Sequence, residues 1–163
     1  MTAYHHPTMI SLRPATDRDR EFLLSVFTAS RAQPTLRPAR SVERDFADQL
    51  HHYRTIVPAA DLAIVEADGV PIGRLCVQRR RSELRLLDIA LLPEQRGHGV
   101  GTRLIATLLA EARRTGQPVC CDVERWNLRA RALYERLGFR EVFADPLCTA
   151  MTWVPEDQDT DER

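Results

Sequence analysis

The chain contains no lysine. All 23 of its permanently cationic side chains are arginine, set against 23 acids over 163 residues. There is therefore no Schiff-base lysine, no pyridoxal-phosphate anchor and no phosphate-loop lysine. Cysteine pairs at zinc spacing are also missing. Cys76, Cys120, Cys121 and Cys148 include no C-x-x-C, and all four lie in apolar, strand-like segments where a thiol acts as a small buried hydrophobe. No metal site is expected. No run of 18 apolar residues and no leader pattern occurs, so the expectation is a cytoplasmic protein with reduced thiols and no membrane partner. Basic residues cluster only at Arg79–Arg81, which reads as a solvated strand end, and no nucleic-acid partner is expected.

What is present fits one globular domain with a core of its own: 44% hydrophobic and 28% charged residues over a domain-sized length. The zero net charge is uneven. Residues 155–163 (PEDQDTDER) carry five acids and one arginine, leaving residues 1–154 with 22 arginines against 18 acids, a net +4. The reading is a single domain over 1–154 with an acidic, disordered tail over 155–163. A positive body suits an anionic small ligand.

Residue periodicity places the elements. Met9–Arg13 alternates as a strand, Thr16–Asp17 opens a helix to about Arg31, and Ser41 opens another with Val42, Phe46, Leu50 and Tyr53 inward. Gln33–Arg40 reads as a loop. Asp61–Glu66 and Val70–Val77 form a hairpin across Ala67-Asp68-Gly69, followed by a strand at Leu84–Leu91. Then come a helix at Gly101–Thr115, a strand at Val119–Glu124, a helix at Leu128–Leu137 and strands at Phe139–Ala144 and Cys148–Val154. An antiparallel front followed by strand–helix–strand–helix–strand predicts a mixed α+β sheet.

The chemistry lies in Leu86–Gly101, LLDIALLPEQRGHGVG. A strand enters a loop with glycines at 97, 99 and 101 and passes directly into a helix. Glycine lets backbone approach a ligand, and helix-start amides with their positive dipole end favour an anion. The pattern is a phosphate cradle. The NTPase loop is excluded by the missing lysine, and a dinucleotide motif would follow the first strand of a parallel sheet. Asp88 is a charge inside an apolar strand, which needs a partner or a task.

Two motifs carry a resemblance. Arg96-Gly-His-Gly-Val-Gly101 is similar to the R/Q-x-x-G-x-G/A loop of the GNAT superfamily of acyl-CoA-dependent N-acetyltransferases. Asn127-Leu-Arg-Ala130-Arg-Ala-Leu133-Tyr134-Glu-Arg-Leu137-Gly138-Phe139 resembles that family's N-x-x-A-x-x-L-Y-x-x-x-G-F. Order and spacing agree, and the pair with its connecting helix covers about a third of the chain.

The resemblance implies a GNAT fold, a mixed sheet of six to seven strands with helices on both faces and splayed strands forming a CoA cleft. It implies acetyl-CoA as co-substrate, with its pyrophosphate on Arg96, Gly97, His98, Gly99, Val100, Gly101 and Thr102. The pantetheine arm would pair with Ile89, Ala90 and Leu91, and a backbone N–H there would polarise the thioester. Asn127 would contact the same arm, its position also being that of a helix N-cap. Tyr134 would hydrogen-bond or protonate the departing thiolate. Some relatives carry a carboxylate where this chain has Arg85, so the general base falls to Asp122, Asp88 or Glu124, in that order, or to a water relay. Asp122 matches a glutamate of ribosomal-protein acetyltransferases in this superfamily. The implied reaction is direct acetyl transfer to a primary amine of a small molecule or peptide. Residues 31–58 and the loop near Asp145–Leu147 would shape the acceptor side, and dimers are common for the fold. A non-catalytic acyl-CoA-binding module is the alternative reading.

Overall fold

The computed structural model describes residues 8–31, 41–57 and 59–156. Among these, seven strands form one sheet in the order β1-β2-β3-β4-β5-β7-β6. In chain order the elements are β1 (Ile10–Pro14), α1 (Arg20–Ser30), α2 (Val42–His51), β2 (Ala60–Ala67), β3 (Val70–Arg79), β4 (Leu84–Leu91), α3 (Val100–Thr115), β5 (Val119–Glu124), α4 (Leu128–Arg136), β6 (Arg140–Ala144) and β7 (Cys148–Trp153). The chain divides into two compact units, residues 1–76 with 88–100, and residues 77–87 with 101–163. No helix of the described residues is long and apolar enough to cross a membrane.

In the first unit, β1 pairs antiparallel with β2, from Ile10 opposite Ala67 to Pro14 opposite Ala63. Asp68 and Gly69 turn the β2–β3 hairpin with φ of 50° and 80°, the left-handed pair that a tight two-residue turn requires. Leu23, Phe27, Phe46, Leu50 and Ile64 form the core, and the Phe27 and Phe46 rings sit 5.6 Å apart. Ser41 caps α2 by accepting the Arg44 N–H. The predicted first helix is divided: a 3-10 turn at Asp17–Asp19 precedes α1. The Asp19 carboxylate causes this by folding back to accept the Thr16 N–H at 2.7 Å. Arg13 grips the same carboxylate through two nitrogens at 2.9 and 2.7 Å and reaches Glu66 with a third. Tyr53, expected on the second helix, falls in a π-helical turn at His52–Ile56. The predicted loop at 33–40 lies outside the described residues.

In the second unit, β4 and β5 run parallel and pair over Leu84–Leu86 with Val119–Cys121, although each strand continues beyond that ladder. The α3 residues Leu104, Ile105, Leu108, Leu109 and Ala112 are buried at helical spacing. In β5, Val119, Cys121 and Val123 are buried while Asp122 and Glu124 share the exposed face, as alternation predicts. β7 pairs with β5 from Trp153 opposite Val119 to Cys148 opposite Glu124, and β6 pairs with β7 across a bulge between Glu141 and Phe143.

Three predicted boundaries move inward. Leu137 caps α4, β6 begins at Arg140 because Phe139 turns into the core, and β7 stops at Trp153. Cys76 and Cys121 are buried as expected, whereas Cys120 and Cys148 are only half-buried. Residues 157–163 of the tail lie outside the described residues.

The Arg13 guanidinium, aided by the Thr16 amide, holds the buried Asp19 carboxyl well below the usual carboxylate range. A depressed acid contributes stability above its unfolded value near pH 4 and loses it as pH falls. Asp19→Asn is therefore expected to lower the urea midpoint at pH 7, with the gap from the parent chain closing as the pH is taken below 4. A gap that stays constant with pH would show that the ion pair does not hold this turn.

Candidate active site

The site begins with a close approach of two backbones. A Cβ placed on Gly73 of β3 would lie 2.4 Å from the Ala90 carbonyl oxygen and 2.6 Å from Leu91 Cδ2. Only glycine admits that approach. The Leu92 N–H then donates to the Ile72 carbonyl at 2.9 Å, fixing the strand end. Arg96 completes the anchorage: its Nε donates to the Leu91 carbonyl at 2.9 Å and one Nη to the Ala29 carbonyl at 3.4 Å. Its backbone N–H donates to Pro93. The Arg96 guanidinium thus holds the loop in place.

From there the chain turns through Gly97 and Gly99, each at φ 78°, a conformation that L side chains resist. Gly97, His98 and Gly99 are exposed, and a Cβ on Gly99 would meet nothing within 4 Å. Val100 is buried and starts α3, with Gly101 and Thr102 in its first turn. The opening N–H groups of an α-helix have no acceptor within it and carry the positive end of its dipole. This stretch has the chemistry of an oxyanion cradle made from backbone.

Asp88 precedes Ile89, Ala90 and Leu91 on β4. Its Oδ2 stands 2.6 Å from Nε of Arg74, whose side chain is 4% exposed against 19% for Asp88. The contact is an ion pair without hydrogen-bond alignment. Burial pushes the Asp88 carboxyl above the ordinary carboxylate range, while Arg74 and the Ile89 amide pull the other way. The Tyr53 phenol is also raised, by burial first and by the charge of Asp88 second. Burial likewise pushes the Cys76 thiol up to about 12, which keeps it protonated and poorly nucleophilic at neutral pH. Neither Arg74 nor Gly73 is marked by a motif. A glycine inside the apolar run VPIGRLCV is the signal that was there to use.

The second unit carries the other candidates. Asn127 caps α4, its Oδ1 accepting the Ala130 N–H at 3.2 Å, and its own N–H donates to the Glu124 carbonyl. Tyr134 is buried on α4 with its ring centroid 5.3 Å from that of Phe139. On β5, the Asp122 carboxylate accepts a 2.7 Å hydrogen bond from Arg85, which also pairs with Glu83. Arg85 therefore clamps the first-ranked base candidate. Glu124 is exposed. Burial pushes the Cys121 thiol up to about 12. No group of His, Cys, Asp and Glu suited to a metal occurs among the described residues.

The family model described as Acetyltransferase (GNAT) family matches residues 23–139. The chain belongs to that family. It is 35% identical over 83 residues to the ribosomal protein bS18-alanine N-acetyltransferase of Haemophilus influenzae, a match covering 50% of this chain and 56% of that protein. The chain thus spans little more than half the length of this curated relative. Among solved structures it is similar to the PaiA N-acetyltransferase of Thermoplasma acidophilum in complex with coenzyme A, at a TM-score of 0.72 and 18% identity over 90% of this chain and 99% of that one. It is also similar to the ribosomal-protein-S18-alanine N-acetyltransferase of Escherichia coli, at a TM-score of 0.65 and 19% identity over 93% and 98%. At such identities the two structures establish the fold.

The Gly73 approach is directly testable. Gly73→Ala must displace Ala90 or Leu91, and overpacking of this kind destabilises by about 1–3 kcal/mol. Urea unfolding should show that loss, and acetyl-CoA affinity should fall with it. An alanine variant of parental stability would mean that the two strands have room to spare.

Proposed function

We propose that this chain moves an acetyl group from acetyl-CoA to a primary amine by direct attack. The observation that carries the reading is the anchored β4 end running through two left-handed glycines into the start of α3. Backbone amides from Gly97 through Thr102 would hold the pyrophosphate, while Arg96, expected among them, has its N–H engaged by Pro93 and fixes the loop beside it. Ile89, Ala90 and Leu91 would pair with the pantetheine arm, and Asn127 would contact it while still capping α4. Acetyl-CoA supplies the activated acyl group. One well-aimed backbone N–H near the strand end, set on the thioester carbonyl, is worth about 3 kcal/mol of barrier.

An alkylammonium must lose a proton before it attacks, since its pKa near 10 leaves little free amine at pH 7. Among the three carboxylates proposed as bases, Asp88 has the best support. It adjoins Ile89–Leu91, it is largely buried, and its raised pKa brings its basicity nearer to neutrality. Arg74 holds its orientation. Asp122 is engaged by Arg85 and Glu124 is solvated, so both rank below it. As nitrogen bonds to the carbonyl carbon and the carbon–sulfur bond breaks, Tyr134 gives its phenolic proton to the thiolate, and the second proton shed by the nitrogen restores the phenol. The protonated, weakly nucleophilic thiols at Cys76 and Cys121 support transfer without an acyl-enzyme. The acceptor class is a small-molecule or peptide amine. The relative named for the alanine of ribosomal protein bS18 makes a peptide α-amine the first to try.

Release of CoA thiol over a panel of peptide, amino-acid and polyamine acceptors tests the reading. Tyr134→Phe should lower kcat by about 10²–10⁴, the range for a lost general acid. The rate needs Asp88 ionised, so activity should fall off on the acid side at a pH above the ordinary carboxylate value near 4. Asp88→Asn should remove that limb together with most of the rate. Acetyl-CoA binding without turnover on any amine would instead support the non-catalytic module.

A further inference from the structure

A second cationic feature lies at the far end of α4 from Asn127. Nine helical residues put it about 13 Å along the helix axis. A cavity of about 480 Å³ is lined there by Arg113, Arg136, Gly138, Arg140, Trp153 and Glu156, among others. The arginines come from three elements: the last turn of α3, the last turn of α4 and the first residue of β6. Helix C-termini favour one cation each, which suits Arg113 and Arg136. That effect places neither Arg140 nor the convergence of all three.

The cavity is shaped by defined contacts. Arg113 stacks over the Trp153 ring, 5.0 Å from its centroid. Gly138, at φ 96°, leaves the indole its space, since a Cβ there would lie 3.3 Å from Trp153 Cδ1. Arg140 stands opposite Thr152 in the β6–β7 ladder. None of the three arginines forms an ion pair within the described residues, and Glu156 is the one carboxylate in the lining. Guanidinium groups do not deprotonate, so a cavity lined by three of them carries a fixed positive charge that only an anion or solvent can offset.

We propose that this cavity is a binding site for a multivalent oxyanion, distinct from the glycine loop. Planar guanidinium forks suit paired anionic oxygens, and three of them select for more than one negative charge. Such oxygens have two sources. One is a free polyphosphate-type metabolite. The other is this chain's own acids, since Asp157, Asp159, Asp161 and Glu162 follow directly on Glu156. Tethered groups act at millimolar effective concentration and would compete for the same cations.

Calorimetric titration with inorganic tripolyphosphate separates these cases. It is run with saturating acetyl-CoA, to keep the probe from the glycine loop, on the full chain and on a chain ending at Glu156. The shortened chain should bind one equivalent saturably, more weakly at higher ionic strength. Arg136→Ala with Arg140→Ala should weaken that binding about tenfold or more, and Arg140→Gln alone should weaken it less. Both changes are on exposed side chains, and an unchanged melting curve and acetyl-CoA affinity would confirm an intact fold. Tighter binding by the shortened chain than by the full chain assigns the site to the chain's own acids, and equal binding assigns it to a free anion. No saturable binding to the shortened chain, or binding untouched by the arginine changes, overturns the proposal.

Discussion

The close approach of β3 to β4 at Gly73 is the constraint on which the site depends. Ala90 and Leu91 lie where they do because no side chain stands between the two strands. The Leu92 bond to Ile72 and the Arg96 bonds to Leu91 and Ala29 hold that end, and the glycine loop departs from a fixed point. An anion cradle built from backbone amides works only if the backbone is positioned before the ligand arrives. Arg96 supplies that positioning from the protein side. On the proposed reading, recognition of phosphate falls to amides and to the start of α3, which a chain without lysine can provide.

Arginine is used throughout as a structural fork. Arg13 ties Asp19 and Glu66 together, Arg79 grips Glu111 on α3, Arg85 joins Glu83 and Asp122, and Arg131 joins Glu135 and Glu141. Most of these pairs are partly exposed and contribute modestly to stability; their value lies in fixing orientation. Arg74 with Asp88 is different. Removing water from an ion pair is costly, so stability alone is a poor account of this buried pair. Asp88 adjoins the residues proposed to hold the thioester, which makes proton transfer the task with the most support.

Much of the fold is legible in the sequence because local rules and tertiary packing agree. β4 and β5 fall where alternation puts them, and Asp68-Gly69 turns the hairpin that a D-G pair announces. The glycine loop is equally legible, since left-handed φ at Gly97 and Gly99 has few other solutions. The discrepancies have specific causes. Asp19 shortens a helix by capping its own turn, and Phe139 leaves a strand because its ring is needed in the core beside Tyr134. The polar setting of Asp88 could not be read. Arg74 lies 14 residues away on another strand, and a one-dimensional pattern does not show which charges meet. Arg85 is a similar case: its clamp on Asp122 lowers the rank of the candidate that the family resemblance placed first.

A prepositioned backbone cradle is proposed to bind acetyl-CoA. Calorimetric titration of the chain with acetyl-CoA, and separately with NAD, tests it most directly. Saturable one-to-one binding of acetyl-CoA with no heat from NAD is the predicted result. Binding of NAD, or no saturable binding of acetyl-CoA, would contradict it.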